Sequence, residues 1–238
     1  LYVALSKLQP EIEKYVEKNE SSWRKNSQNE TRKYLKEGLK DRAVTRNLDW
    51  GVEIPIEGYK DKRMYVWIDA VLGYITTAMR YCEENGLNWE NWWKENKENE
   101  NRIYMVHGKD NIMFHTLILP GLLIGAKDNY LLPDKIVSTE YLNFNDQKFS
   151  KSKGIGMTIL EALDKFNVDT LRFHLIKNGP ETRDSNFTEE EYILTHNEVT
   201  NKLGNFVNRT LKYKGLTNIP NGNMNEEVKK YLEDKYVE

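Results

Sequence analysis

The stretch "RIYMVHGKDNIMFHTLILPGLLIGA", residues 102–126, decides the fold. It opens with a short run rich in Ile, Val and Tyr, Arg102–Gly108, which is typical of a buried strand, and it continues as a helical pattern from Asn111. The same order occurs earlier, where "MYVWID" (64–69) predicts a strand and "AVLGYITTAMRYCEENG" (70–86) predicts a helix. A strand that leads into a helix, twice in succession, is typical of a parallel sheet with crossover helices. We therefore predict an α/β fold.

The segments on either side extend this fold. Residues 1–37 predict a helical hairpin whose second helix lies in "TRKYLKEGLKD" (31–41), after a turn-rich break. Residues 49–63 carry two glycines and a proline, and they predict a loop with short extended pieces. The run "DKIVSTEYLNF" (134–144) predicts a third strand. Beyond it we expect two amphipathic helices within residues 160–179.

The last part of the chain is predicted to be all-helical. A loop over residues 180–191 leads to a long helix from about residue 190 to 214. Steps of 100° per residue place five apolar side chains on one stripe of this helix, which we expect to be buried: Val199, Leu203, Phe206, Val207 and Leu211. Asn205, Arg209 and Lys212 cluster on the opposite face. That face is either solvated or a binding surface.

Composition limits the classes of function. The chain has 238 residues, 39% of them apolar, which is enough for one large domain or two modest ones. Its 35 Lys and Arg nearly balance its 37 Asp and Glu, so a surface for nucleic acid must be local. The single cysteine, Cys82, excludes an internal disulfide and a Cys-rich metal site within the chain. Without a long apolar window or a signal-like opening, we expect a soluble, cytoplasmic protein with no membrane partner.

A basic loop carries the strongest chemical signal. This lysine loop, "NDQKFSKSKGIGM" (145–157), sets Lys148, Lys151 and Lys153 among two serines and two glycines. Ammonium groups, hydroxyls and exposed backbone N–H groups of this kind stabilise a phosphate that is being transferred. The spacing is not that of a Walker A loop, which requires Gly-x-x-x-x-Gly-Lys-Ser/Thr. From these residues alone, a phosphate site and a solvated basic turn both stay open.

The order "KFSKS" (148–152) resembles the second signature of class I aminoacyl-tRNA synthetases, Lys-Met-Ser-Lys-Ser, with Phe149 in the place of Met. Together with this loop, five motifs occur in the order and at roughly the spacing found in the methionyl-tRNA synthetase family. They are "GLKDRAVTRNLDWG" (38–51), "YVWIDAVLGYIT" (65–76), "HGKDNIMFHTLILP" (107–120), "NGPETRDSNFT" (178–188) and "NKLGNFVNRTL" (201–211). The first signature of the class, His-Ile-Gly-His or similar, does not occur. Since Leu1 already lies in a helical pattern, we expect a chain cut from a longer one.

The resemblance implies a fold and a domain order. The fold is the second half of a class I synthetase Rossmann domain, with its parallel sheet, followed by an α-helical bundle segment. The implied order along the chain is the tail of the connective insertion with return helices (1–45), the second half of the Rossmann domain (46–140), the signature loop with a stem-contact segment (141–192) and the start of the anticodon-binding domain (193–238). Zinc would belong to the part of the insertion before residue 1, and no metal ligand is predicted here.

The implied activity is that of a methionine–tRNA ligase. With ATP and Mg²⁺, such an enzyme activates L-methionine to methionyl-adenylate and transfers it to tRNA(Met). The chain alone is expected to be inactive, because the first signature is absent from it. A non-catalytic tRNA-binding module that kept the fold and lost the chemistry is the alternative, and the retained signature lysines favour the enzyme.

The resemblance also assigns residues to each ligand. The catalytic group lies in the lysine loop: Lys148, Ser150, Lys151 and Ser152. The ATP-binding group joins that loop to the end of a strand: Gly108, Asp110 and Lys151. The methionine-binding group lies on two helical segments: Trp67, Ala70, Val71, Tyr74, Asn111 and His115. The anticodon-binding group lies on the last long helix: Asn205 and Arg209.

Each of these assignments has a plainer alternative. Aromatic residues at helical spacing, such as Trp67 and Tyr74, are usually core residues. Asp110 is also a candidate cap of the helix that follows it. The sequence departs from the family at two positions of the methionine group, with Val71 where many members have proline and Asn111 where some have isoleucine.

Overall fold

A computed structural model describes residues 1–95, 100–213 and 225–236. The chain divides into two compact units. The first unit comprises Leu1–Met157 and Ile176–Phe187, and the second comprises Thr158–Leu175 and Thr188–Glu238.

Helices and short strands alternate through most of the described residues. The α-helices are α1 Leu5–Asn19, α2 Lys25–Glu37, α3 Val66–Glu84, α4 Glu90–Trp93, α5 Leu119–Ala126, α6 Ile159–Lys165, α7 Val168–Lys177, α8 Glu189–Val199, α9 Asn205–Leu211 and α10 Glu226–Tyr236. The strands are β1 Tyr2–Val3, β2 Arg42–Ala43, β3 Thr45–Arg46, β4 Arg63–Met64, β5 Tyr104–Gly108, β6 Lys135–Thr139, β7 Leu142–Phe144, β8 Gln147–Lys148 and β9 Ser185–Phe187.

The strands β5 and β6 form a parallel pair in the first unit. Their register runs from Tyr104 opposite Lys135 to Gly108 opposite Thr139. The connection between them contains a 3-10 turn, a π-helical turn at Phe114–Ile118 and α5. A parallel pair joined through a helix confirms the predicted α/β fold.

Helices α1 and α5 pack closely in the hydrophobic core beside this pair. Leu5, Ile12, Leu119 and Ile136 are each at most 3% exposed and belong to one cluster. At Gly121 the helices leave no room for a side chain, since an added Cβ would lie 2.8 Å from Cδ2 of Leu5. Gly121 therefore serves the close packing of the two helices rather than a turn.

Helix α2 begins earlier than predicted. The sequence placed the second helix of the hairpin at residues 31–41, but α2 spans Lys25–Glu37. Its buried face consists of small or amide side chains, and Ser27 and Thr31 are fully buried. The Thr31 hydroxyl donates to Oγ1 of Thr116 at 2.9 Å. This face is polar and satisfied by hydrogen bonds, so the apolar periodicity that marks a helix start was absent.

The prediction of a strand over residues 64–69 is wrong. The extended part ends with β4 at Arg63–Met64, and α3 begins two residues later. The buried residues Ile68, Val71 and Ile75 recur at helical spacing, so one helix face packs into the core. Tyr, Val and Trp favour strands, but the spacing of the buried residues outweighs this propensity.

The third predicted strand is interrupted. Residues 134–144 form β6 and β7, which belong to different sheets. Between them, the backbone N–H groups of Glu140 and Tyr141 donate to the Pro180 carbonyl at 2.7 Å and to Oδ1 of Asp184 at 2.9 Å. Amides that are bonded elsewhere cannot continue the ladder, so the strand breaks there.

The loop predicted over residues 180–191 contains a strand. This strand, β9, runs parallel to β7, with Leu142 opposite Ser185 and Phe144 opposite Phe187. On its other side β7 pairs antiparallel with β8, which lies within the lysine loop. A three-residue strand rich in polar residues is too short to show a period of two.

The second unit is helical in its described part, which confirms the all-helical prediction for the region from residue 188. Helices α8 and α9 are joined through a π-helical turn at Thr200–Gly204 into one long helix. Four of the five residues in the apolar stripe predicted to be buried are exposed instead, with Leu203 59% and Phe206 67% exposed, whereas Val199 is half-buried. A helix stripe becomes buried where another element covers it, and no described residue does so here. In the described part of the chain, no helix is both long and apolar enough to cross a bilayer.

Candidate functional site

The carboxyl end of β5 holds both of the strand-end residues predicted to bind ATP. The ladder ends at Gly108, and Lys109–Asn111 turn away from it as a 3-10 turn. Ligands bind at this edge of open parallel sheets. Gly108 and Asp110 are exposed there. The Asp110 carboxylate accepts a hydrogen bond from the Tyr141 hydroxyl, and among the described residues it caps no helix.

His115 is carried by the π-helical turn that follows. This turn spans Phe114–Ile118, and His115 within it is 4% exposed. A π-helical turn rotates the side chains relative to a regular helix, and such turns are frequent at functional sites. Here the turn brings His115 within reach of Tyr74 on α3.

Two hydrogen bonds fix the tautomer of His115. Its Nδ1 lies 2.9 Å from the backbone carbonyl of Asn111, and its Nε2 lies 2.9 Å from the Tyr74 hydroxyl. A carbonyl oxygen can only accept, so Nδ1 carries the proton. Burial lowers the pKa of His115 and favours the neutral ring. The neutral Nε2 therefore accepts from Tyr74, and three of the six predicted methionine-binding residues lie together.

His107 completes this arrangement, which we call the histidine cluster: Tyr74, His107, Asn111 and His115. The rings of His107 and His115 stack with centroids 4.3 Å apart. His107 donates from Nδ1 to the carbonyl of Gly108 at 3.0 Å, while its buried Nε2 has no partner among the described residues. Burial lowers the pKa of His107 to about 4. Sequence analysis did not assign His107, although its alternation with buried Met105 along β5 marks an inward-facing position.

The remaining methionine-binding predictions separate from one another. Trp67 stacks on Phe114 with ring centroids 4.8 Å apart, and it is 41% exposed. Ala70 is exposed. Val71 is 2% exposed and belongs to the hydrophobic core. Along this face of α3, therefore, Trp67 and Tyr74 approach the π-helical turn, whereas Val71 packs as a core residue.

The lysine loop is closed by a small hairpin-like contact. Ser150 and Ile155 exchange two backbone hydrogen bonds, each 3.0 Å long. Between them, Lys151–Lys153 form a 3-10 turn. The hydroxyls of Ser150 and Ser152 lie 3.3 Å apart. These contacts hold the loop in a compact turn without using its ammonium groups.

Gly156 and Phe149 are matched to each other. Gly156 has a φ of 110°, a conformation that side chains rarely adopt, and an added Cβ would lie 2.2 Å from Cδ1 of Phe149. The Phe149 ring also approaches Phe144, with centroids 5.7 Å apart. The ring that stands in the place of the signature methionine thus packs where Gly156 has no side chain.

The three lysines of the loop lie in different surroundings. Lys151 and Lys153 are exposed, and neither makes a hydrogen bond or ion pair through its side chain in the described part of the chain. The ammonium group of Lys148 lies 4.2 Å from the centroid of the Tyr141 ring. The loop therefore presents uncompensated positive charge, as a site for a polyanion requires.

Lys109, which lies outside the loop, is paired with two carboxylates. Nζ of Lys109 lies 2.6 Å from Oε2 of Glu140 and 2.9 Å from Oδ1 of Asp184. These hydrogen bonds raise the pKa of Lys109, and its ammonium group lowers the pKa of both carboxylates. Sequence analysis missed these residues and Tyr141. The available signal was the placement of Lys109 and Asp184 inside two of the quoted motifs.

The predicted anticodon-binding residues lie on α9 in the second unit. Asn205 and Arg209 are one turn apart and both exposed. With Phe206 and Tyr213 they line an open cleft. The cleft combines amide, guanidinium and aromatic groups.

No group of three or more His, Cys, Asp or Glu side chains is arranged to hold a metal ion in the described ranges.

Comparison with known proteins gives consistent results. Residues 1–211 match the family model of class I tRNA synthetases (M). Methionine–tRNA ligase 1 of Alkaliphilus oremlandii is 44% identical over 245 residues, and methionine–tRNA ligase of Bacillus mycoides is 43% identical over 242 residues. These alignments cover 100% and 99% of this chain, but 44% and 43% of the relatives. The chain therefore spans less than half the length of these relatives.

Solved structures resemble the fold over nearly the whole chain. A Mycobacterium tuberculosis methionyl-tRNA synthetase bound by methionyl-adenylate superposes with a TM-score of 0.74 at 25% identity, covering 98% of this chain and 45% of that one. The apo form of the same enzyme gives a TM-score of 0.71 at 23% identity, with 98% and 44% coverage.

Proposed function

The chain belongs to the family of class I tRNA synthetases (M), and on this premise we propose that it forms part of a methionine–tRNA ligase. Its segments would be the end of the connective insertion (1–45), the second half of the Rossmann domain (46–140), the signature loop region (141–192) and the start of the anticodon-binding domain (193–238). One observation carries the proposal. A single compact unit holds both the histidine cluster at the end of a parallel strand and a loop in which Lys151 and Lys153 have no partner among the described residues.

The proposed reaction has two steps. A carboxylate oxygen of methionine attacks the α-phosphorus of ATP, the bond to the β-phosphate oxygen breaks, and pyrophosphate leaves. A ribose hydroxyl at the end of tRNA(Met) then attacks the carbonyl carbon of methionyl-adenylate, the bond from that carbon to the phosphate oxygen breaks, and AMP leaves with the hydroxyl proton. The carboxylate attacks directly, so the first step needs no general base. The enzyme positions the reactants and neutralises the charge that develops.

The lysine loop would supply that charge. Lys151 would contact the phosphates as negative charge grows on the leaving pyrophosphate, and Lys148 would assist. Ser150 and Ser152 would hold the shape of the turn and donate to phosphate oxygens. The support for these roles is the exposure of Lys151 and its lack of a partner in the described residues, since a paired ammonium group would compete with the substrate.

The histidine cluster would form one wall of the methionine pocket. Tyr74, His115 and the exposed Trp67 offer ring edges, beside which a thioether packs favourably. Asn111 would position His115, and Ala70 and Val71 would complete the wall on the side of α3. Shape alone discriminates weakly, because one methylene is worth about 1–3 kcal/mol. Polar contacts to the thioether sulfur would therefore have to add to shape, and the Tyr74 proton is not available for them because it is donated to Nε2 of His115.

Adenosine would bind at the end of β5. Gly108 permits close approach of the nucleotide, and Asp110 would accept a hydrogen bond from a ribose hydroxyl. Mg²⁺ neutralises part of the phosphate charge when it is bound. We assign it no protein ligand, because the nearby carboxylates of Asp110, Glu140 and Asp184 are already bonded to Tyr141 or Lys109, and Mg²⁺ is commonly held largely by substrate phosphates and water.

The first test is methionine-dependent exchange of pyrophosphate into ATP. We expect exchange from a polypeptide that joins this chain to the part that its relatives have in addition, and none from residues 1–238 alone. Absence of exchange in the longer polypeptide, with retained binding of tRNA(Met), would replace the enzyme by the tRNA-binding module. Near-normal exchange by residues 1–238 alone would overturn the proposed boundaries.

The second test concerns tRNA(Met). We propose that the enzyme acts in the cytoplasm and that α9 binds the anticodon of this tRNA. Unstacked bases are recognised by hydrogen bonds and stacking, and Asn205 and Arg209 can provide both. Arg209→Ala should weaken tRNA binding by about 1–3 kcal/mol, while exchange without tRNA stays normal. Arg80→Ala, which removes another exposed arginine, is the control. Unchanged charging of tRNA by the Arg209 variant would refute the assignment.

A further inference from the structure

Tyr141 joins the two regions that the proposed function uses. Its hydroxyl donates to the carboxylate of Asp110 at the end of β5. The ammonium groups of Lys109 and Lys148 lie over its ring, 4.0 Å and 4.2 Å from the centroid. Its backbone N–H donates to Oδ1 of Asp184 at 2.9 Å. One half-buried side chain thus contacts both a predicted adenosine-binding residue and the first lysine of the signature.

The contacts on one side of Tyr141 form a fixed support. Lys109 is held by Glu140 at 2.6 Å and by Asp184 at 2.9 Å. Glu140 in turn accepts from Nδ2 of Asn26 at 2.9 Å, and its side chain is 16% exposed. Tyr141 is thus held at its backbone N–H, at its ring and at its hydroxyl, so it loses little further conformational freedom when a ligand binds.

Lys148 differs from the members of this support. It makes no ion pair in the described part of the chain, and it lies on β8, in the first part of the lysine loop. A carboxylate partner would compensate its charge and would compete with phosphates for it. An aromatic face holds an ammonium group more weakly and leaves its charge available.

We propose that Tyr141 is a positioning residue for the adenylation step. Its hydroxyl orients Asp110 for the ribose, and its ring holds Lys148, and with it the start of the lysine loop, beside the nucleotide until the phosphates take over the ammonium group. The proposal rests on the proposed function and deepens it, because it couples the adenosine contact to the loop that carries the charge.

Two substitutions separate the hydroxyl from the ring. Tyr141→Phe removes the hydrogen bond and keeps the ring, so KM for ATP should rise about threefold to tenfold while kcat changes less than about twofold. Tyr141→Leu also removes the ring, and kcat should fall a further two- to fivefold or so, as for the loss of an exposed cation–π contact. KM for methionine should stay unchanged in both variants.

These effects are measured by pyrophosphate exchange in the longer polypeptide that joins this chain to the part that its relatives have in addition, and that is expected to carry both class I signatures. Tyr81→Phe and Tyr81→Leu are the matched controls, because Tyr81 is 59% exposed and its hydroxyl makes no hydrogen bond in the described residues. Thermal unfolding of each variant reports on structure. A merely structural role of Tyr141 would lower thermal stability and change KM for both substrates together, and that result would overturn the proposal.

A double-mutant cycle tests the link to the loop. In a Lys148→Met background, the additional loss of kcat on going from Tyr141→Phe to Tyr141→Leu should disappear, because the ring no longer has this ammonium group to hold. Full additivity of the two changes would overturn the proposed coupling.

Calorimetric titration with ATP, in the absence of methionine, separates this inference from the proposed function. If the wild type binds ATP but catalyses no methionine-dependent exchange, the proposed function fails, and weaker ATP binding by Tyr141→Phe still supports the contact to Asp110. Equal ATP affinity of the wild type and Tyr141→Phe overturns the inference even if exchange is normal. A wild type that binds no ATP overturns both.

Discussion

The histidine cluster and the lysine loop lie in one compact unit but are built in opposite ways. In the histidine cluster, His115 is buried, neutral and already hydrogen-bonded at both ring nitrogens. In the lysine loop, Lys151 and Lys153 are exposed and without partners in the described residues. A site that selects a small apolar side chain gains from groups fixed in advance, whereas a site that neutralises developing charge must keep its own charge uncompensated.

The largest expected effect tests the loop side of this comparison. In the polypeptide that carries both signatures, Lys151→Ala should slow adenylate formation by about 10²–10³-fold, the usual loss for a preorganised charge-stabilising group. Methionine affinity should hardly change, because this charge acts mainly as the phosphates react. Single-turnover rates and equilibrium binding of methionine measure the two quantities.

Lys153→Ala is the matched control for this substitution, since the two lysines share the same 3-10 turn and the same exposure. We expect it to slow the reaction less. If the dissociation constant of Lys151→Ala for methionine rose by as large a factor as its rate fell, methionine binding and charge stabilisation would not be separate functions of the two sides of the site.

A second, smaller effect concerns the shape of the loop. Gly156→Ala would place a Cβ 2.2 Å from the Phe149 ring at a φ of 110°. Strain of this kind costs about 1–3 kcal/mol, so adenylate formation should slow roughly tenfold or more, and the unfolding temperature of the first unit should fall. Stopped-flow rates and thermal unfolding measure these outcomes.

Gly154→Ala provides the comparison within the same loop. Gly154 also has a positive φ, 65°, but an added Cβ there meets nothing within 4 Å. This change should cost less than Gly156→Ala, because the left-handed region alone is strained by about 1–2 kcal/mol. Equal losses at the two positions would show that contact with Phe149 is unimportant.

The sequence predicted these two sides unequally well. The lysine loop is local, so contiguous residues already indicate its chemistry. In the histidine cluster, Tyr74 and His115 are 41 residues apart, and His107 was missed because an inward-facing position in a strand does not by itself distinguish a site residue from a core residue. The break between β6 and β7 depends on hydrogen bonds to Pro180 and Asp184, which sequence period cannot reveal.

The exposed apolar residues of α8 and α9 show that periodicity alone does not predict burial. Periodicity identified the apolar face of this helix correctly, but burial also requires a partner. Leu203 and Phe206 are exposed because no described residue covers them. Conversely, α2 buries Ser27 and Thr31, which are polar residues that hydropathy alone assigns to the surface. A pattern therefore predicts which face can pack, whereas tertiary contacts decide whether it does.

A moderate effect tests the methionine side. Tyr74→Phe removes the hydroxyl that donates to Nε2 of His115 and keeps the ring. Loss of one such hydrogen bond is worth about 0.5–1.5 kcal/mol, so KM for methionine should rise roughly two- to tenfold, with KM for ATP unchanged. Tyr81→Phe, at an exposed position on the same helix α3, is the control. A rise in KM for ATP alone would place Tyr74 on the nucleotide side instead.

The smallest expected effect concerns the pH dependence of stability, and it follows from the burial of His107. Burial lowers the pKa of His107 to about 4 in the folded protein, against about 6.5 in an unfolded chain. The unfolded state therefore binds the proton more readily. The stability that His107 contributes is present above about pH 6.5 and is lost as the pH falls toward 4. Its buried Nε2 has no partner in the described residues to stabilise the charge.

His107→Phe keeps a ring that can stack on His115 and removes the titrating group. At pH 7 its unfolding temperature should lie close to that of the wild type, and between pH 6.5 and 4 it should fall less steeply. The difference should be about 2–4 °C at pH 4.5, the shift that roughly 1 kcal/mol produces in a domain of this size, after allowance for the partial exposure of His107. NMR titration of the His107 ring measures its pKa directly. Equal slopes for the two proteins, or a His107 pKa near 6.5 in the folded state, would show that the histidine cluster is not held neutral by burial and would weaken its contrast with the lysine loop.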